Sequence, residues 1–162
     1  MLQKFSIISE SEEDTKDFAM KIAPLFHAGD VIILDGDLGA GKTCFVKGFT
    51  DGLHAQDEVN SPTFSIANFY RTQGQSDILH IDVYRISTIE EFNDLGLFDY
   101  FDQSITLIEW GKNFREAFDD YLLISFEIKS DNKRVITFEC QGGNYELLMT
   151  GIKHQLKGVD SC

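Results

Sequence analysis

An apolar run that ends in a glycine-rich loop constrains this chain more than any other feature. DVIILD (30–35) leads directly into GDLGAGKT (36–43). The residues Gly36-Asp37-Leu38-Gly39-Ala40-Gly41-Lys42-Thr43 satisfy G-x-x-x-x-G-K-[ST], a pattern that works only between a buried strand and a helix. The continuous run Val31–Leu34 suits a central strand covered on both faces, and a helix is predicted from Lys42 to about Leu53. Glycines let such a loop turn back on itself, so that successive backbone N–H groups converge on one phosphate. The helix start adds the positive end of its dipole. Lys42 then serves as a point charge on the terminal phosphates, and the Thr43 hydroxyl suits Mg²⁺. The plainer alternative is a glycine turn with no ligand.

The rest of the pattern alternates strands and helices. LQKFSII reads as a strand. SESEEDTKDFAMKIAPLF reads as an amphipathic helix with Phe18, Ile22 and Leu25 on one side and a Ser/Glu-rich start suited to capping. Further strands are predicted at 63–70, 78–85 and 105–110, and helical segments near 88–95 and 112–118. The tail offers strands at 121–128 and 133–140, then a helix from about 144 to 157. The fold class is α/β: a P-loop NTPase-like three-layer sandwich around a mixed, mainly parallel sheet. With no repeat, no low-complexity tract and two prolines, residues 1–162 read as a single domain.

Charge removes some functions and leaves others. Of the 162 residues, 14 are Lys or Arg and 27 are Asp or Glu, a formal net charge of −13, which is not the footprint of a basic nucleic-acid binder. The excess is central: residues 87–131 hold 11 acids and 3 bases, whereas 36–52 balances Asp37 and Asp51 against Lys42 and Lys47. That stretch is either a set of solvated faces or a surface that repels nucleic acid or meets a basic partner. Phosphate binding needs directed donors and does not conflict with it. Cys44, Cys140 and Cys162 are too scattered for a disulfide framework or a metal knuckle. The start MLQKFSIISESEED turns acidic where a signal peptide needs its apolar core, and no apolar run reaches membrane-spanning length. The expectation is a cytoplasmic protein with no membrane association.

A phosphate cradle hydrolyses nothing without a carboxylate at the end of another buried strand. In ITLIEW the apolar run ends at Glu109, in the manner of a Walker-B acid; the alternative is an ordinary strand-end acid. In ILHIDVYR, alternation puts His80, Asp82 and Tyr84 on one face and Leu79, Ile81 and Val83 on the other. Asp82 is either a site acid or the cap or ion-pair partner of Arg85 or Lys42. His80 fits a buried, hydrogen-bonded histidine as well as an active-site one, and Trp110 fits core packing as well as the site. Asn60-Ser61-Pro62-Thr63-Phe64 reads as a Ser-Pro turn or as a segment sensing the γ-phosphate.

In combination these motifs are more specific. GDLGAGKT at 36–43, SPTF at 61–64, HIDVYR at 80–85 and LIEWG at 107–111, in that order, closely resemble the bacterial TsaE family over about residues 10 to 140. The resemblance implies a small ATPase that uses ATP and Mg²⁺ and works with the TsaB and TsaD proteins. The product is threonylcarbamoyladenosine beside the anticodon of tRNAs that read codons beginning with A. A separate enzyme makes the threonylcarbamoyl-adenylate. Lys42 and Thr43 would serve phosphate and Mg²⁺, Glu109 with Trp110 beside it would be a Mg²⁺ or catalytic residue, and Asp82 would lie near the γ-phosphate. Thr63 would sit in the switch-like segment, and Thr15 and Arg134 would contact nucleotide. The nucleotide-binding set is then Thr15, Gly36, Asp37, Leu38, Gly39, Ala40, Gly41, Lys42, Thr43, Cys44, Thr63, Asp82, Trp110 and Arg134. Phe69, where the family often has Glu, and Cys44 after the loop threonine depart from the pattern.

The mechanism expected is Mg²⁺-assisted attack of water on the γ-phosphate. Thr43 and Glu109 hold the ion, Lys42 neutralises charge, and Asp82 orients water or a switch group; Glu109 is alternatively the water-activating base. Few basic residues are available as an arginine finger, Arg85 being the nearest in sequence, so hydrolysis is expected to need the partner. The acidic block leaves most tRNA contact to TsaB–TsaD. A small-metabolite kinase or a non-hydrolysing nucleotide switch are the alternatives. A GTP reader is disfavoured because Asn132-Lys133 is followed by Arg134 and Val135. Cys44, at a helix start, is either a low-pKa oxidisable thiol or an inert semi-buried one.

Overall fold

The computed structural model describes residues 4–56, 66–73 and 76–156. The chain opens with strand β1 (Lys4–Ser9) and helix α1 (Glu12–Ile22). The Ser11 hydroxyl caps α1 by accepting the Asp14 N–H at 3.1 Å, and Glu12, Glu13 and Asp14 place negative charge in its first turn, where the helix dipole favours it. The expected longer helix breaks at Ala23-Pro24-Leu25, a short 3-10 turn, because proline cannot donate into an α-helical ladder. Next come β2 (Val31–Gly36) and α2 (Lys42–Gly52).

Strand β3 (Ala67–Tyr70) is the described part of the strand expected at 63–70. Thr63 and the SPTF segment lie outside the described residues. Strand β4 (Asp77–Asp82) ends three residues sooner than expected, because the Asp82 carboxylate accepts the Tyr84 N–H at 2.9 Å and turns the backbone. Helix α3 (Ile89–Asp94), capped by Thr88, and a 3-10 segment (Leu97–Gln103) follow. After β5 (Ser104–Glu109), the helical segment expected near 112–118 is a 3-10 helix over Gly111–Ala117. It starts from Trp110 in a left-handed conformation (φ 65°) with no side-chain cap. The tail forms β6 (Tyr121–Ile128), β7 (Arg134–Gln141) and α4 (Glu146–Gln155).

The strands build one sheet in the order β1-β7-β6-β2-β5-β4-β3. β6, β2, β5 and β4 are mutually parallel, whereas β7 and β3 run antiparallel to their neighbours. The sheet is therefore mixed and mainly parallel, as the alternating pattern predicts. β2 lies in its middle, and Val31–Leu34 are at most 6% exposed. Side chains alternate between two cores. Ile32 and Leu34 join Phe18, Ile22, Phe45, Phe49, Met149 and Ile152 from α1, α2 and α4. Val31 and Ile33 join Leu79, Ile81, Ile108, Phe92 and Phe114 on the opposite face. These are the three layers. Burying a ring such as Phe45 or Phe49 stabilises by roughly 2–3 kcal/mol. α1 and α2 touch so closely that a Cβ on Gly48 would lie 2.3 Å from the Lys16 carbonyl oxygen. This contact fixes the helix that carries Lys42.

Candidate functional site

The parallel strands β2, β4 and β5 bring their C-terminal ends to one edge of the sheet, where doubly covered α/β sheets bind ligands. The Gly36–Gly41 loop leaves β2 there and enters α2. Its last residue, Gly41, has φ 112° and caps the helix without a side chain, so the N–H groups that open α2 have no acceptor within the helix. The Ala40 N–H is spent on the Asp37 carbonyl at 3.0 Å, which tightens the loop. A cavity of about 300 Å³ opens over the loop. Gly39, Gly41, Lys42, Thr43 and Cys44 line it on one side, and Asp82, Glu109 and Trp110 line it on the other.

Lys42 links the two sides. Its ammonium donates to the Gly36 carbonyl and stands 3.3 Å from the centre of the Trp110 ring, a cation–π contact. Burial pushes its pKa below the ordinary lysine value, against the raising influence of Glu109, Asp35, Asp82 and Asp37. Burial likewise pushes the Asp82 carboxyl up; Glu109 adds to that, while the Tyr84 N–H opposes it. Asp82 and Glu109 are partners in the β4–β5 register, which places two acids side by side at adjacent strand ends. Asp82 forms its turn with Tyr84. The Glu109 carboxylate is buried and lies 2.6 Å from His80 Nε2. Trp110 packs on Tyr84 with ring centres 5.1 Å apart.

A second cavity of about 110 Å³ continues behind the loop, bounded by Ser11, Thr15, Gly39, Gly41, Asn132 and Arg134. The Thr15 hydroxyl is already held by Ser9 Oγ at 2.7 Å and is buried. Arg134 donates to the Ser130 carbonyl at 2.7 Å and to the Gly39 carbonyl at 3.3 Å, so it braces the loop tip. Asp37 and Leu38 are exposed on that tip, and Ala40 is buried beneath it. The Cys44 thiol donates to the Glu12 carbonyl at 3.3 Å, and burial pushes its pKa up, with Glu12 adding to the effect. Arg85 is exposed and borders a mostly apolar groove with Leu38, Ile66 and Trp110.

Three residues of the main cavity had no signal in the loop motif: Glu12 and Lys16 of α1, and Lys47 of α2. Lys47 follows Thr43 by four residues, one helical turn along the same face. Lys16 arrives only through the α1–α2 contact. The two lysines add positive charge beside the loop of an acidic chain. Among the described residues, no three His, Cys, Asp or Glu side chains form a group that could hold a metal, and no helix is long and apolar enough to cross a membrane.

The chain has clear relatives. The family model described as threonylcarbamoyl adenosine biosynthesis protein TsaE matches residues 9–136. The tRNA threonylcarbamoyladenosine biosynthesis protein TsaE of Bacillus subtilis is 44% identical over 138 residues, which are 84% of this chain and 85% of that protein. The protein of the same name from Treponema pallidum is 37% identical over 132 residues, 80% of this chain and 96% of its own. The crystal structure of Bacillus subtilis YdiB superposes with a TM-score of 0.78 at 34% identity, covering 95% of this chain and 97% of that one.

Proposed function

The chain belongs to the TsaE family of tRNA threonylcarbamoyladenosine biosynthesis proteins, and from that premise we propose that it is the ATP-binding, Mg²⁺-dependent ATP-hydrolysing subunit acting with TsaB and TsaD. The observation that carries this reading is the uncapped start of α2, with Lys42 beside it, facing two strand-end carboxylates across one cavity. N–H donors at a helix start suit phosphate oxygens. Thr15 and Arg134, around the smaller cavity, would meet the rest of the nucleotide.

The donor set also fits Mg²⁺. Thr43, Asp82 and Glu109 offer hard oxygens around one cavity, and a Mg²⁺ site built on one or two protein oxygens leans on substrate phosphates for the rest. Thr43 and Glu109 would hold it, and the bound ion would withdraw charge from the phosphate oxygens. Lys42 exchanges the Gly36 carbonyl and the Trp110 face for the terminal phosphates and neutralises charge there. Asp82 orients water toward the γ-phosphorus. A P–O bond forms to that water as the bond to the β–γ bridging oxygen breaks, and ADP leaves with phosphate. An electrostatically assembled site of this kind acts mainly by positioning.

The mouth of the site supports a partner. Leu38 is 89% and Tyr84 67% exposed, and with Trp110 they border an apolar groove of about 320 Å³ next to the loop. Exposed apolar patches of this sort mark contact surfaces. With 11 acids against 3 bases over 87–131, tRNA contact falls mainly to TsaB–TsaD. The test is phosphate release from ATP and Mg²⁺ by the full chain, with and without purified TsaB and TsaD, beside Lys42→Ala. Release stimulated by the partners and lost in the variant supports the proposal. ATP binding with no release under any condition supports a non-hydrolysing switch instead.

A further inference from the structure

A line of hydrogen-bonding groups runs through the interior from β3 to the carboxylate of Glu109. The Tyr70 phenol oxygen lies 3.1 Å from His80 Nδ1, and His80 Nε2 lies 2.6 Å from Glu109 Oε2. All three residues are buried, at 3%, 0% and 4% exposure. The hydrolysis derived above uses neither Tyr70 nor His80.

Their directions follow from what each group can do. An ionised carboxylate only accepts hydrogen bonds, so Nε2 must carry a proton toward Glu109. A neutral imidazole then has one lone pair left, on Nδ1, and a phenol O–H is the group that can donate to it. Asn68 Nδ2 stands 3.5 Å from the same Tyr70 oxygen, on its acceptor side. We propose that Tyr70 and His80 are positioning residues for Glu109. Tyr70 occupies the Nδ1 lone pair and holds the imidazole ring in place, and Nε2–H pins Oε2 so that the carboxylate presents Oε1 to the nucleotide cavity. Left unpinned, a carboxylate rotates over a broad torsional range. The register makes the arrangement possible: Asn68 pairs with His80 across β3–β4, and Asp82 pairs with Glu109 across β4–β5. His80 and Glu109 therefore meet from adjacent strands. The kinetic part of this inference rests on the reading of the chain as an ATPase; the hydrogen-bond directions do not.

Two measurements test it. In the full chain labelled with ¹⁵N-histidine, the His80 signals are assigned by their disappearance in His80→Gln. The expected spectrum has a protonated Nε2 and an unprotonated Nδ1, and Tyr70→Phe, which removes the O–H facing Nδ1, moves the Nδ1 signal while Nε2 stays protonated. An Nδ1–H tautomer, or a doubly protonated ring, overturns the proposal. In the ATPase assay with TsaB and TsaD, His80→Gln places an amide donor at the reach of Nε2, whereas His80→Asn places one at the reach of Nδ1, short of Glu109. The expectation is kcat within about 3-fold of wild type for the Gln variant and about 30-fold lower for the Asn variant, the range typical of groups that orient a ligand or catalytic side chain. KM for ATP stays within about 2-fold, because the loop binds the phosphates. Equal losses in the two variants, or a change confined to KM, overturn the proposal. If the wild-type complex releases no phosphate, the ATPase reading fails while the ¹⁵N spectrum still decides the hydrogen-bond directions.

Discussion

The two sides of the cavity are built by opposite routes. The loop side is eight consecutive residues, Gly36–Thr43, and its donors are backbone groups whose directions follow from local conformation. The carboxylate side is assembled from β3, β4 and β5, and its key contact joins residues 29 apart in sequence. Lys42 meets both, with its ammonium on the Gly36 carbonyl and over the Trp110 ring. The loop side can survive the loss of many side chains but not of its charge; the carboxylate side depends on each side chain and on the register that aims it.

That contrast sets an order of effects. Lys42→Ala removes the one cation the loop places between the two sides, and ATPase turnover with TsaB and TsaD should fall by about 10³-fold or more. A smaller loss would mean that backbone donors alone carry the phosphate charge. Glu109→Gln keeps the shape and a hydrogen-bonding oxygen while removing the charge, and should lower kcat by about 10²-fold. Titrating Mg²⁺ in that variant separates the two roles of Glu109. A raised Mg²⁺ requirement with partial rescue at high Mg²⁺ marks a metal ligand, and an unchanged requirement marks the base.

Asp82→Asn should be milder in rate, about 10-fold, and should show a gain in stability. Burial, and then Glu109, hold the Asp82 carboxyl above its ordinary 3.8. A carboxyl raised in the folded state contributes stability that is fully present below its unfolded pKa and is lost as the pH rises through its folded pKa. Asn stays neutral throughout. The variant should therefore melt higher than wild type at about pH 7, with the difference closing as the pH falls toward about 3. An Asp82→Asn protein that is less stable at neutral pH would mean that the Tyr84 turn, and not the burial of the charge beside Glu109, dominates at that position.

What the sequence revealed divides along the same line. The loop, its strand and its helix were readable because the chemistry is contiguous and the period of apolar residues changes across it. Asp82 and Glu109 were readable as acids ending apolar strands, although their adjacency needed the β4–β5 register. His80 stayed open between core and site for a physical reason: its function depends on Tyr70, and the antiparallel pairing of β3 with β4 is not encoded by a short turn between them. The strand predicted to reach Arg85 stops at Asp82, since a side-chain acceptor two residues before Tyr84 outcompetes the ladder. The Gly111–Ala117 segment has helical composition, but the left-handed backbone of Trp110 dictates its start.

The smallest expected effect isolates the scaffold that both sides share. Thr106 sits in the middle of β5, three residues before Glu109, at 0% exposure, on the face that Ile108 shares with Val31, Ile33 and Leu79. Among the described residues, its hydroxyl is the buried side-chain group without a hydrogen-bond partner. An unpaired hydroxyl in an apolar setting costs about 1–3 kcal/mol, and replacing it with an isosteric methyl leaves packing intact. Thr106→Val should therefore stabilise by about 1 kcal/mol, raising Tm by about 2–4 °C for a chain of this size. The hydroxyl faces the core opposite the one that holds Tyr70, so kcat and KM should stay at wild-type values. A fall in turnover with this variant would show that the carboxylate side is tuned through the whole of β5, and the division between a local loop and a register-built half would then extend into the scaffold itself.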